Sequence, residues 1–334
     1  MEGLTFYLVD VFAEEKYAGN QLAVVRNAGV LLSAHMQRIA NEMHFSETAF
    51  ILSDEKRNGG YDVRIFTPAR EMPFAGHPTL GTAYVIRHSL VNESISKVVL
   101  NLRVGQIPVT FEKEENQEVL WMEQIPPIFG ETFDATDISR MLNLDVNDID
   151  SNYPIQEVST GVPFVIVPLK TLDAVKRVRI GKDKQLELTK ETQAATLVFC
   201  PETYKKENNL NVRVFVDVHG IPEDAATGSA NGCLAGYLSR YCYFGDDIVS
   251  VRVEQGYEIG RPSLLHLKAE NREGEIHVHV GGRVLWSPAE NSSDSRAECD
   301  PQTLGSRAPA TSFQRLDIGK ACKLVTACLS GLPC

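Results

Sequence analysis

The chain has 334 residues, of which 43% are hydrophobic and 23% are charged, and this length and composition predict a globular protein of two domains. Its 44 acidic and 33 basic residues give a net charge of −11, which argues against nucleic acid or a membrane surface as a partner and favours a small molecule. No apolar run reaches the roughly 20 residues that span a bilayer, and the start is acidic where a signal peptide would be basic, so we expect a cytoplasmic protein.

Short segments typical of β-strands dominate the chain, beginning with LTFYLVDVF, LAVV, TAFIL and YDVRIF. SAHMQRIANEM, which precedes TAFIL, repeats apolar residues at helical spacing, so it predicts an amphipathic helix that Ser33 caps. Two later segments, HPTLGTAYVIRHSL and GSANGCLAGYLSRY, are small and apolar nearly all round. A helix without a polar face is typically buried, so each of these is expected at the centre of a curved sheet.

The two buried helices follow similar sequences. VRIFTPAREMP precedes the first helix and VRVFVDVHGIP precedes the second, and Arg64 and Arg213 occupy matching positions 149 residues apart. The shared spacing indicates an internal repeat of about half the chain. We therefore predict an α+β fold of two pseudo-symmetric domains, each a curved, mostly antiparallel sheet wrapped around a central helix.

The first domain is expected over residues 1–130 and the second over residues 131–289. Residues 290–334 are rich in Ser, Ala, Pro and Cys, lack strand alternation and are predicted to be disordered. Four of the seven cysteines lie in this tail, so the body of the chain has no disulfide framework. Common metal and nucleotide motifs are also absent, and neither a metal nor a cofactor is predicted.

A glycine-containing turn opens each buried helix, PFAGHPT in the first half and EDAATGSA in the second. Helix starts leave backbone N–H groups unpaired and carry a partial positive charge, so they favour carboxylates or developing oxyanions. Two such starts facing each other would form one anion-binding cleft between the domains. In the alternative interpretation, Thr227 and Ser229 only cap a helix and the two turns lie far apart.

Three titratable residues accompany these turns. Glu47, in FSETAF, stands at the edge of an apolar strand, where partial burial raises a carboxyl pKa toward neutrality, and we expect Ser46 and Thr48 to support it with hydrogen bonds. His77 lies at a helix start, where the dipole favours a neutral imidazole, and Asp224 lies beside the other start. Each has a structural explanation, but together they predict an acid/base site.

Several of these stretches resemble the PhzF-like (phenazine biosynthesis-like) family, in order, over residues 5 to 287. They include FSETAFIL, VRIFTPAREMPFAGHPTLGTA, STGVPFVIVP and GIPEDAATGSANGCLAGYL. The resemblance implies a diaminopimelate epimerase-like fold, a homodimer and isomerisation of trans-2,3-dihydro-3-hydroxyanthranilate without metal or organic cofactor. It also implies that Glu47 is the proton shuttle.

The residues expected to act in catalysis are Glu47, His77 and Asp224. The residues expected to bind the substrate, a small carboxylate, are Asn20, Ser46, Gly76, Thr227, Gly228 and Ser229. Two alternatives remain beside the isomerase: a Glu-based epimerase or racemase, and a catalytically silent ligand-binding protein on the same fold. Racemisation by two thiolates is disfavoured, because neither helix-start turn contains a cysteine.

Overall fold

The computed structural model describes residues 4–91, 93–114, 117–181, 194–216 and 221–287. The tail that was predicted to be disordered, residues 290–334, lies outside these ranges together with its four cysteines.

Eighteen strands and five α-helices form the described part of the chain. The strands are β1 (Phe6–Val11), β2 (Asn20–Val25), β3 (Glu47–Ile51), β4 (Tyr61–Phe66), β5 (Glu71–Met72), β6 (Lys97–Leu102), β7 (Gly105–Glu114), β8 (Gln117–Glu123), β9 (Ile128–Phe133), β10 (Ile155–Ser159), β11 (Pro163–Pro168), β12 (Ala195–Cys200), β13 (Leu210–Val216), β14 (Ile221–Asp224), β15 (Val249–Gln255), β16 (Ser263–Arg272), β17 (Glu275–Gly282) and β18 (Val284–Trp286). The helices are α1 (Ser33–Met43), α2 (Gly76–Val85), α3 (Ala135–Leu142), α4 (Leu172–Arg177) and α5 (Gly228–Arg240).

The strands form two similar sheets that meet at one seam. The first runs in the order β18, β1, β2, β3, β4, β6, β7, β8. The second runs in the order β9, β10, β11, β12, β13, β15, β16, β17, and β8 pairs with β17 to join them. Each sheet has parallel pairs at two equivalent places, β2–β3 and β4–β6 in the first and β11–β12 and β13–β15 in the second. The predicted pseudo-symmetric α+β fold is confirmed.

The predicted domain division at residue 130 stays a prediction, although strand pairing assigns two segments near the ends of the halves. β9 begins at Ile128 and pairs with β10, so it belongs to the second sheet. β18 lies near the end of the described chain but pairs with β1, so it belongs to the first sheet.

Helices α2 and α5 are the centres of the two halves, as their small, apolar sequences predicted. Nine of the ten residues of α2 and eleven of the thirteen residues of α5 are buried. Small residues make this possible: a side-chain carbon at Gly81 would lie only 2.6 Å from Leu22 and 2.9 Å from Val11 of the surrounding sheet.

The outer faces of the sheets are covered by other helices. Met36 and Ala40 of α1 pack against Phe50 and Phe66, and α3 and α4 cover the second sheet. The predicted cap of α1 is wrong, because the helix starts at Ser33 itself and the Ser33 hydroxyl accepts a hydrogen bond from Arg64 at 3.0 Å. None of the helices in the described ranges is long and apolar enough to cross a membrane.

The repeat is also visible in two ion pairs that brace the segments leading to α2 and α5. Arg64 donates from Nε and Nη2 to the two carboxylate oxygens of Glu71, at 2.8 and 2.7 Å. Arg213 makes the same pair of bonds to Glu223, at 2.9 and 2.7 Å. Bidentate pairs of this kind fix orientation as well as distance, so both segments are held firmly on their sheets.

Candidate active site

The two central helices meet start to start. A side-chain carbon at Gly76 would lie 3.2 Å from Gly228 Cα, and one at Gly228 would lie 3.4 Å from Gly76 Cα. The two backbones therefore lie close together: a side-chain carbon would be crowded at Gly76 and would sit at ordinary contact distance at Gly228. The interpretation in which the two turns serve separate structural roles required them to lie apart, and they are in contact. Their unpaired N–H groups and helix dipoles act on the same small volume.

A cavity of about 590 Å³ opens at this junction, a size that suits a small-molecule ligand. It brings together eight of the nine residues predicted for the site, and the ninth, Asn20, lies behind them. The lining residues are Ser46, Glu47, Thr67, Ala69, Arg70, Met72, Phe74, Ala75, Gly76, His77, Val162, Phe164, Val216, Asp224, Thr227, Gly228 and Ser229.

Asp224 is held by three donors. Thr227 Oγ1 donates to Asp224 Oδ2 at 2.6 Å, while Asn20 Nδ2 and Ser46 Oγ donate to Asp224 Oδ1 at 2.9 and 3.3 Å. Asn20 Nδ2 also lies 3.5 Å from His77 Nδ1. Asn20 was predicted to bind the substrate, and the structure places it where it links the second-half carboxylate to the first-half imidazole.

Glu47 and His77 lie next to each other in the wall of the cavity. Glu47 Oε2 lies 3.5 Å from His77 Nε2, both atoms are buried, and neither has a hydrogen-bond partner within the described part of the chain. Both residues line the cavity.

The expected support of Glu47 by its neighbours is wrong. Ser46 donates to Asp224 instead, and Thr48 is fully buried with its hydroxyl unpaired among the described residues. The reason is strand geometry: side chains alternate between faces, so Thr48 points away from the cavity that Glu47 lines.

Burial shifts the pKa of each of the three groups. It raises the pKa of Glu47 to about 8, and the negative charge of Asp224 adds to this. Burial lowers the pKa of His77 to about 3, so this imidazole is neutral at pH 7. Burial also raises the pKa of Asp224, against the opposing effect of the hydrogen bonds from Thr227, Asn20 and Ser46. The raised pKa predicted for Glu47 is confirmed, and the neutral His77 results chiefly from burial, where the sequence suggested the helix dipole.

Comparisons with known proteins identify the family of this chain. The phenazine biosynthesis-like protein family matches residues 9–287. The chain belongs to the phenazine biosynthesis-like family. The trans-2,3-dihydro-3-hydroxyanthranilate isomerase of Pseudomonas fluorescens is 36% identical over 281 residues, which cover 83% of this chain and 95% of that protein. An uncharacterised isomerase of Mesorhizobium japonicum is 32% identical over 293 residues, covering 85% and 97%.

The crystal structure of a PhzF-family phenazine biosynthesis protein from Bacillus anthracis superposes with a TM-score of 0.79 at 28% identity, covering 86% of this chain and 98% of that one. This family member is accordingly an isomerase with a diaminopimelate epimerase-like fold.

Gln255 is a residue of the site that the sequence reasoning missed. It is fully buried, and its Nε2 donates to the Asp224 carbonyl at 2.9 Å and to Thr227 Oγ1 at 3.0 Å. Its Oε1 accepts from the Thr227 amide at 3.2 Å and from Asn231 Nδ2 at 2.9 Å. The signal that could have found it is a polar residue that ends a buried strand just before Gly256, whose φ of +79° favours glycine.

The cysteines of the described ranges do not belong to the cavity. Cys233 is buried inside α5 and Cys200 ends β12, and burial raises the pKa of each thiol to about 12. Among the cavity-lining residues that the structure describes there is no cysteine, which agrees with the argument against a two-thiol mechanism. Within the same ranges, no group of three or more His, Cys, Asp and Glu side chains is placed to hold a metal ion.

Proposed function

We propose that this family member catalyses a cofactor-independent isomerisation in which Glu47 removes a proton from one carbon of a small unsaturated carboxylic acid and returns it to another. The reaction is of the type for which the Pseudomonas fluorescens relative is named, the isomerisation of trans-2,3-dihydro-3-hydroxyanthranilate. One observation carries the proposal: a buried, unpaired carboxyl with a pKa of about 8 faces the cavity where two helix starts meet.

The pKa of Glu47 suits both halves of a proton shuttle. A group that titrates near the working pH can accept a proton in its ionised form and then return it from the neutral form. A carboxyl with an ordinary pKa near 4.5 would be a much weaker base, and its conjugate acid would be scarce at neutral pH.

The other residues of the cavity position the substrate. The helix-start amides near Gly76 and Gly228 bind its carboxylate, and neutral His77 and Ser229 offer hydrogen bonds to a hydroxyl or amine. Asp224 accepts from that amine or hydroxyl, held in place by Asn20, Ser46 and Thr227. Thr227 thus acts through Asp224, because its hydroxyl proton is already donated to that carboxylate.

The test is turnover of trans-2,3-dihydro-3-hydroxyanthranilate in deuterated water by the wild type and by Glu47→Gln. We expect Glu47→Gln to lower turnover by about 10² to 10⁴-fold, since general acid/base catalysis contributes on that order, while affinity for 3-hydroxyanthranilate changes little. The matched control is Glu275→Gln, on the exposed surface. Near wild-type turnover by Glu47→Gln would refute the mechanism.

The same experiment separates the alternatives. Solvent deuterium at a stereocentre without movement of a double bond would select a Glu-based epimerase. Ligand binding without proton exchange would select a silent ligand-binding protein.

Two expectations from the sequence stay predictions. The homodimer is checked by size-exclusion chromatography with light scattering, and the cytoplasmic location by cell fractionation.

A further inference from the structure

Arg70 carries the one permanent positive charge among the described residues that line the cavity. Its side chain is exposed at the rim, and no acid in the described ranges pairs with its guanidinium. The cavity also contains the carboxyl groups of Glu47 and Asp224, but within the described ranges the Arg70 guanidinium forms an ion pair with neither of them.

The backbone of Arg70 is fixed although its side chain is free. The Thr67 amide donates to the Arg70 carbonyl at 2.8 Å, and the Arg70 amide donates to Thr67 Oγ1 at 3.0 Å, which closes a tight turn. Gln37 of α1 donates to the carbonyls of Thr67 and Pro68 at 2.8 and 3.0 Å. The turn is therefore fixed by its own hydrogen bonds and by those from α1. It places Arg70 in the lining of the cavity.

Glu71 and the two cavity acids form other interactions or are held in their neutral form. Glu71 is bonded to Arg64 at 2.7 Å and lies 3.5 Å from Arg103. Asp224 accepts from three side chains, and burial favours the neutral form of Glu47. A ligand anion would therefore not displace an existing partner of the guanidinium, so the usual loss of an internal ion pair does not oppose binding.

We propose that Arg70 binds a second carboxylate of the substrate, so that this family member prefers a small dicarboxylic acid over a monoacid such as trans-2,3-dihydro-3-hydroxyanthranilate. The inference rests on the proposed function, in which the first carboxylate lies at the helix starts and the reacting carbon lies at Glu47. A guanidinium offers two parallel N–H donors that match the two oxygens of a carboxylate. Phe74 and Phe164 also line the cavity and suit the apolar body of such a molecule.

The test compares ligands that differ by one carboxylate. The affinity of 2-aminobenzoate is measured by isothermal titration calorimetry beside those of 2-aminoterephthalate and 4-aminoisophthalate, which place the additional carboxylate at different ring positions. We expect the wild type to bind at least one diacid about tenfold more tightly than the monoacid, as a charge-assisted pair at a partly exposed site would give. Arg70→Gln should abolish this preference and leave the affinity for 2-aminobenzoate within about twofold.

The matched control is Arg103→Gln, which removes a positive charge from a nearby arginine outside the cavity lining and should retain the diacid preference. Equal or weaker binding of both diacids by the wild type would overturn the proposal, as would an Arg70→Gln variant that weakens the monoacid and the diacids alike. Glu47→Gln separates failure of this inference from failure of the proposed function. This variant loses the proton shuttle but should retain the diacid preference.

Discussion

The buried carboxyl of Glu47 has a cost in stability that can be measured without knowing the substrate. Glu47→Gln keeps the size and shape of the side chain and removes its ability to ionise. The side chain is only 17% exposed, so water compensates little of the cost of charging it. We predict that Glu47→Gln is more stable than the wild type at neutral and alkaline pH, although it lacks the proposed catalytic group.

The magnitude follows from the pKa of Glu47, which rises from 4.5 to about 8 on folding. Between these values the folded protein binds more protons at position 47 than the unfolded chain, so the free energy of unfolding falls as the pH rises. One pKa unit corresponds to about 1.4 kcal/mol, so the titration of Glu47 lowers the free energy of unfolding by about 3 kcal/mol at pH 7 and by about 5 kcal/mol above pH 8.

The assay is urea unfolding of the wild type and Glu47→Gln at a series of pH values from 5 to 9. Taking the difference between the two proteins removes the contribution of titrating groups that do not interact with Glu47. The lowered pKa of His77 makes the stability of both proteins rise with pH, over a lower range. We expect the advantage of Glu47→Gln to grow through this series and to level above pH 8. Glu275→Gln, on the exposed surface, serves as the control. A difference that stays flat across the series would refute the burial argument.

Three further predictions concern the same junction. The value of kcat/KM should rise about tenfold per pH unit below pH 8 and level above it, because Glu47 must be ionised to accept a proton; a constant value from pH 6 to 9 would contradict this role. Asp224→Asn should move the midpoint of that rise to lower pH, since the Asp224 charge helps to raise the pKa of Glu47, and an unmoved midpoint would contradict the coupling. Gly76→Ala should cost about 1 to 3 kcal/mol in urea unfolding and lower turnover, because the new methyl group would lie 3.2 Å from Gly228 Cα; wild-type stability and turnover would show that the helix starts can separate freely.

The parts of the fold that the sequence predicts are those set by local pattern. The small residues of α2 and α5 specify burial wherever the helices lie, and the matching segments around Arg64 and Arg213 reveal the repeat. Most of the candidate site could also be predicted, because Gly76, His77 and the EDAATGSA turn lie where the chain enters these helices.

The remaining features depend on contacts between distant parts of the chain. Asn20 and Asp224 are 204 residues apart, and nothing near either one shows that they are hydrogen-bonded. Gln255 supports the second turn from another strand, and Ser33 is used by Arg64 in place of a helix cap. The orientation of Thr48 could not be predicted from the sequence either, because the face that a strand side chain occupies depends on where the strand begins.

The start-to-start meeting of α2 and α5 gives the cavity two nearly interchangeable ends. The backbone N–H groups of Gly76 and Gly228 themselves occupy matching positions in the two halves, so these two groups alone would accept a ligand in either orientation. The residues that follow the two glycines are different, His77 in α2 and Ser229 in α5. This difference between the two helix starts, together with Glu47 on the His77 side, makes the site asymmetric: it determines which end of a bound molecule faces Glu47.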